Sequence, residues 1–238
     1  MGEEKLNRIP DHVPTWKYWL SFLWEQHVES RSSAFNPHLY VSLKLGRFQL
    51  STANAVYSFG DMYTNFSRTF KQWNWDAYPA EEVLILGLGL GSIPVILEQV
   101  EQRNCAITAI EIDEEVVDLA ERYVLYQLET PIQTIVANAR AVVDQLPAAA
   151  YDLICIDLFD DDTVPAIFET TDFLEQAARL LQPGGILLFN RLADTAQDRQ
   201  LSTAFFEQTF KQVFPNGYCL DVGGNYMLLS DGKGVVRG

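Results

Sequence analysis

With 238 residues, 48% of them apolar, the chain can fill the core of one α/β domain with an appendage, and no internal repeat or low-complexity tract divides it further. A formal charge of −15, from 17 Lys and Arg against 32 Asp and Glu, argues against nucleic acid as a partner, because no basic stripe exists to neutralise phosphates. The same charge welcomes a cationic small molecule, although acidity also serves solubility alone. No apolar run is long enough to span a membrane, and no secretion-type apolar segment follows Glu3 and Glu4. Cys105, Cys155 and Cys219 lie far apart in or beside expected strands, so they read as reduced core residues of a cytoplasmic protein.

In chain order, Trp16, Trp19, Leu20, Leu23 and Trp24 recur at helical spacing, which predicts an aromatic-faced helix over 15–28. It is expected to pack on the body or on a second subunit, giving a homodimer; a membrane-surface role is disfavoured because its other face carries almost no Lys or Arg. His12, His27 and His38 are the only histidines, and without Cys or carboxylate partners at ligand spacing they predict no metal site. Alternation over 38–45, a turn at Gly46-Arg47 and the segment 48–51 predict a β-hairpin. A polar and aromatic connection over 55–61 leads to a helix over 62–73. Residues 74–80, which hold Pro79, mark a boundary between a leading helix and hairpin module, 1–75, and a nucleotide-binding domain, 76–238.

Val83-Leu84-Ile85-Leu86 reads as a strand covered on both faces, breaking into Gly87-Leu88-Gly89-Leu90-Gly91 and then a helix over 92–100. Strand 106–110 ends in Glu111-Ile112-Asp113 and is followed by helix 114–127. Strand 132–136 stops near Asn138, helix 139–146 follows, and strand 151–156 stops at Asp157. Helix 172–181 leads through Gln182-Pro183-Gly184-Gly185 into strand 186–190, then helix 200–213. Strands 217–222 and 226–230, joined by Gly223-Gly224, form a terminal hairpin. Alternating strands and helices imply parallel pairing, whereas the final hairpin reverses one strand. The expected fold is a doubly wound, Rossmann-like, mostly parallel seven-stranded sheet with an antiparallel last strand, preceded by the small module.

Ligands of such sheets lie across the carboxyl ends of the strands, where Gly87, Gly89, Gly91, Glu111, Asn138 and Asp157 fall, with Ile112 and Ala139 beside them. Glycines take positive φ and let backbone approach a ligand. Glu111, twenty residues after Gly91, stands where a nucleotide-binding unit places the carboxylate for both ribose hydroxyls. Asn138 is expected at the adenine edge and Asp157 at the reactive end. A dinucleotide turn would place its third small residue at Ser92, which is not glycine, so a nicotinamide oxidoreductase is a weaker reading. Phosphate-binding Gly-Lys-Ser/Thr and the hydrolase Gly-x-Ser-x-Gly are both missing, and Lys233 between Gly232 and Gly234 lacks its strand and hydroxyl partner. A phosphate-free, positively charged nucleoside such as S-adenosylmethionine suits this acidic crevice.

Residues 84–91, 109–117 and 151–160 resemble the successive motifs of spermidine-synthase-like proteins within the class I S-adenosylmethionine-dependent methyltransferase fold, and the resemblance runs over about 39–188. It extends to Gly46-Arg47-Phe48-Gln49-Leu50, similar to the family's Gly-x-x-Gln segment. The resemblance implies that Gln49 contacts the nucleoside, Glu111 holds the ribose, Asn138 replaces the usual Asp beside adenine, and Asp157 and Asp160 occupy the Asp-x-x-Asp acceptor positions. Two segments depart from the family. Asp160-Asp161-Asp162-Thr163-Val164-Pro165 stands in place of the Pro-x-Gly-Pro gate, and Tyr57-Ser58-Phe59-Gly60-Asp61 in place of Tyr-His-Glu.

A neutral amine must present its lone pair in line with the transferred carbon, so Asp157 is expected to act as general base and Asp160 to hold the amine's charge. Methyl transfer from S-adenosylmethionine to a small, amine-type acceptor stands slightly ahead because the gate is missing. Aminopropyl transfer from decarboxylated S-adenosylmethionine is the alternative, supported by Asp-x-x-Asp and Gln49. A non-catalytic nucleoside-binding or assembly protein is a further alternative.

Overall fold

In the computed structural model of the chain, residues 9–52, 56–160 and 163–236 are described; Glu3, Glu4, Ala55, Asp161 and Asp162, which entered the readings above, lie outside them. The leading module begins with α1 (Thr15–Leu20) and a four-stranded antiparallel sheet, β1 (Gln26–Arg31), β2 (Leu39–Lys44), β3 (Arg47–Ser51) and β4 (Val56–Ser58), followed by α2 (Thr64–Phe70). The hairpin expected from alternation is β2 and β3, its two central strands. Leu39, Val41, Leu43, Phe48 and Leu50 turn to the core.

The helix expected over 15–28 is a correction: only its first six residues are helical, and residues from Gln26 onward form β1, paired with β2. The helix ends at Ser21, whose carbonyl accepts the Leu45 N–H and whose hydroxyl oxygen accepts the Gly46 N–H. The turn joining β2 and β3 thus captures the helix terminus, and the free edge of β2 offers the following backbone a ladder of partners. Pairing across the chain outweighs the local apolar period. The helix over 62–73 is likewise shorter, and the connection over 55–61 contains β4 and a 3₁₀ turn, Gly60–Met62.

The second sheet contains β5 (Glu82–Leu86), β6 (Ala106–Glu111), β7 (Ile132–Val136), β8 (Tyr151–Ile156), β9 (Leu181–Leu192), β10 (Tyr218–Asp221) and β11 (Asn225–Leu229). Its strand order is β10-β11-β9-β8-β5-β6-β7. Pairing is parallel from β9 to β7, and β11 runs antiparallel to both β9 and β10. This is the expected doubly wound sheet with a reversed last strand.

Side-chain alternation in β5 shows why both faces are covered. Val83 and Ile85 enter one apolar core, and Leu84 and Leu86 the other. All four are fully buried, each contributing about 1.5–3 kcal/mol of transfer free energy. The first core also takes α3 (Ser92–Val95, prolonged by a π turn to Val100), α4 (Glu114–Tyr123) and the leading module. The second takes α5 (Ala139–Val143), α6 (Thr171–Leu180) and α7 (Ala196–Phe205, continued to Val213). One apolar core therefore runs through the expected boundary at 75/76. Helix α7 starts earlier than residue 200 because Thr195 and Asp198 form a capping box.

Register positions the site. Leu86 pairs with Ile110 on one side and Ile156 on the other, and Ile156 pairs with Phe189. The next residue on each strand falls in a single row across four neighbours: Glu111, Gly87, Asp157, Asn190. The row crosses β5, whose two neighbours lead away in opposite directions, the switch point at which such sheets open a crevice.

Candidate active site

Glycine is required at the centre of this row. Gly87 has φ +92°, and a Cβ there would come within 2.2 Å of the Asp157 carbonyl oxygen. The glycine turn and the loop after β6 are then joined by one side chain. Glu111 accepts N–H bonds from Leu88 (3.0 Å) and Gly89 (3.3 Å) on one carboxylate oxygen, and from Ile112 (2.9 Å) and Asp113 (3.2 Å) on the other. Burial raises its pKa, and those four donors oppose the rise. Two residues on, buried Asp113 caps α4 through the Glu115 N–H and accepts hydrogen bonds from Ser33 and Asn36. The leading module is thereby fastened beside the expected ribose position.

Asp157 carries a second network. Its carboxylate accepts hydrogen bonds from Asn190 Nδ2 (2.8 Å) and the Tyr63 hydroxyl, while Asn190 Oδ1 accepts from Asn225 Nδ2 (3.0 Å). Burial foremost, with the charge of Glu111 added, pushes the Asp157 carboxyl up to about 6 against those two donors. Burial, together with the charge of Asp157, also lifts the Tyr63 phenol well above its usual range, so Tyr63 keeps its proton and donates. A carboxyl poised near 6 is ionised at neutral pH yet basic enough to accept a proton from an attacking amine.

These groups open onto a cavity of about 730 Å³, within the range of small-molecule sites. Gly87, Gly89, Glu111, Ile112, Asn138, Ala139, Asp157 and Asp160 of the expected site line it. Asn138 spends its side-chain oxygen on the Arg140 N–H as the cap of α5. Asp160 is exposed, and its backbone N–H and carbonyl pair with the carbonyl and N–H of Thr163. Two expected residues are not on the wall. Gly91, at φ +88°, packs against Leu125 and serves the turn into α3; Gln49 is buried in β3 opposite Ser42.

Sequence reading missed Tyr63, Asn190, Asn225 and Asn36, all on the wall. Asn190 alone had a signal, since it ends the strand expected over 186–190, next after the one that stops at Asp157. Ser92, the position that departs from a dinucleotide turn, has a use: its hydroxyl pairs with that of Ser58 (2.6 Å) and accepts the Phe59 N–H (3.0 Å). Strand β4 thus lies against the start of α3, where a diphosphate would otherwise sit.

Among the described residues lining the cavity, four carry carboxylates, Glu111, Asp113, Asp157 and Asp160, and none is Lys, Arg or His. Together, the strand order, reversed last strand and strand-end crevice define the S-adenosylmethionine-dependent methyltransferase-like fold. The chain belongs to the spermine/spermidine synthase domain family, which residues 72–221 match. It is 29% identical over 155 residues to a polyamine aminopropyltransferase of Vibrio vulnificus, a match covering 63% of this chain and 50% of that one. The matched region thus spans only half the length of that relative.

In fold it is similar to a structure described as a probable spermidine synthase from Corynebacterium glutamicum (TM-score 0.68, 19% identity, 85% of this chain and 78% of that one). It is also similar to a spermidine synthase in complex with the transition-state analogue AdoDATO (TM-score 0.67, 16% identity, 86% and 72%).

Glu111→Ala is expected to weaken binding of methylthioadenosine by about 2–4 kcal/mol in calorimetric titration, because it would remove the carboxylate expected at the ribose and free the glycine turn; unchanged affinity would take Glu111 out of the site. For Asp157 the folded pKa lies above the ordinary 3.8, so its contribution to stability is complete below about pH 4 and is lost as pH rises through about 6. The ionised carboxylate then costs about 1–2 kcal/mol at pH 8, allowing for solvent in the open cavity. Urea unfolding should find Asp157→Asn gaining on the parent chain between pH 4 and pH 8; a variant that loses ground over that range would contradict the assignment.

Proposed function

We propose that this chain transfers an aminopropyl group from decarboxylated S-adenosylmethionine to a small amine. The observation that carries the reading is the cavity wall with four carboxylates and no cationic side chain among the described residues. S-adenosylmethionine would bring its own carboxylate into that field without a charged partner, whereas the decarboxylated form brings a sulfonium and an ammonium and no anion. Family membership and the naming of the Vibrio relative support the same reaction over the methyl transfer that the missing gate put ahead.

In this reading Glu111 takes the ribose hydroxyls, Asn138 and Ala139 border the adenine, and Gly87 and Gly89 let the turn approach the nucleoside. An amine that has given its proton to Asp157 attacks the aminopropyl carbon next to sulfur. The new C–N bond forms as the C–S bond breaks, its electron pair passes to sulfur, and methylthioadenosine leaves. Tyr63 and Asn190 hold Asp157 in line, and Asp160 at the mouth meets the acceptor's positive charge. Methyl transfer is the second reading, favoured by one observation: the sequence from Asp160 to Pro165 departs from the family's Pro-x-Gly-Pro gate.

Incubation with each nucleoside and a panel of short diamines and monoamines separates the two. The expected outcome is methylthioadenosine plus an aminopropylated amine, detected by mass, and loss of product in Asp157→Asn. Methylated product with S-adenosylhomocysteine would overturn the aminopropyl reading, and absence of product from either nucleoside would favour a non-catalytic binding protein.

A further inference from the structure

Residues 31–36, between β1 and β2, are bound down along most of their length. The Arg31 guanidinium donates to Glu115 (2.8 Å) and Asp118 (2.6 Å) on α4. The Ser33 hydroxyl accepts the Phe35 and Asn36 N–H groups and donates to Asp113, while the Ser33 N–H donates to the Asn36 carbonyl (2.8 Å). The Asn36 amide donates to Asp113 (3.2 Å), and its oxygen accepts from the Tyr57 hydroxyl (3.3 Å). Phe35 stands between these two polar anchors, yet it is 52% exposed and lines the cavity.

Both anchors converge on Asp113, and Ile112, the residue before it, is 39% exposed and also lines the cavity. The loop therefore brings an aromatic ring from the leading module to the wall beyond β6. Strand order gives that wall its place. Ile112 follows β6, and Asn138 and Ala139 follow its outer neighbour β7, whereas Asp157 and Asn190 belong to β8 and β9 on the other side of β5. Phe35 is thus tied to the end of the cavity away from Asp157, where the reading above seats the base.

We propose that Phe35 stacks on the purine base of the nucleoside and, with Ile112, gives the base its apolar contacts; this rests on the nucleoside-binding reading above. The faces of a purine are flat and uncharged, so the carboxylates of the wall cannot hold them, and an aromatic ring can. Half exposed, the ring contributes little to the fold, since much of its surface stays in contact with water. Because the loop is already fastened through Ser33 and Asn36, a base can meet the ring without first ordering the backbone that carries it.

The test is calorimetric titration of the full chain with methylthioadenosine. Phe35→Ala should bind about tenfold more weakly or worse, and Phe35→Tyr should stay within about twofold of the parent. Phe35→Leu, which keeps apolar bulk without a flat face, should fall between them. The urea midpoint of Phe35→Ala should match that of the parent. In Phe35→Trp, the emission added by the new indole should be quenched as methylthioadenosine saturates the site, a signature that a merely structural residue would not give. A parent that binds methylthioadenosine while Phe35→Ala binds it equally well, or added emission that is left unquenched, would overturn this proposal alone. A parent that binds no methylthioadenosine would overturn the nucleoside reading with it. Weakening confined to decarboxylated S-adenosylmethionine would also overturn the stacking, since the ring would then meet the ligand's ammonium.

Discussion

A single carboxylate holds the crevice in shape. Glu111 is drawn in among backbone N–H groups from two loops, and a buried carboxylate with fewer partners would be driven to take up a proton or to leave. The bonds to Leu88 and Gly89 fix the glycine turn after β5, and those to Ile112 and Asp113 fix the entry to α4. Asp113 then reaches Ser33 and Asn36, so the leading module is tied to the same point. Turn, helix start and module loop form one unit because one side chain's hydrogen-bonding capacity is shared among them.

The remaining chemistry follows from strand register. Parallel pairing puts Glu111, Gly87, Asp157 and Asn190 side by side, and the closeness of Gly87 to the Asp157 carbonyl leaves no room for a side chain between them. The same closeness lets the charge of Glu111 reach Asp157, which with burial raises the Asp157 carboxyl to about 6. Tyr63 from the leading module and Asn190 from β9 restrain it, and Asn225 on the reversed strand β11 orients the Asn190 amide. A wall that is acidic and without Lys, Arg or His among the described residues, and a carboxyl raised to about 6, are thus two results of one strand-end arrangement.

Much of this was legible in the residues. The short apolar run Val83-Leu84-Ile85-Leu86, bounded at once by glycines, reads as a strand covered on both faces, and a glycine-rich turn followed by an acid at the next strand end marks a crevice. The leading segment was not legible in the same way. Its helical spacing of tryptophans arises from an exposed face rather than from burial, and β1 forms because β2 offers a free edge, which no local pattern reports. Gln49 illustrates a further limit: its motif resembles a nucleoside contact, yet its strand position buries it off the cavity wall. Tyr63, Asn225 and Asn36 join the site from separate elements, and only tertiary packing brings them together.

The proposed reaction is electrostatic at root: it needs a cavity that takes a nucleoside carrying positive charge and no carboxylate. Paired calorimetric titrations with S-adenosylmethionine and its decarboxylated form, at one pH and low ionic strength, test it most directly. The decarboxylated form should bind at least about 30-fold more tightly, as an unpaired anion among carboxylates requires. Equal affinities, or tighter binding of the carboxylate-bearing nucleoside, would contradict it.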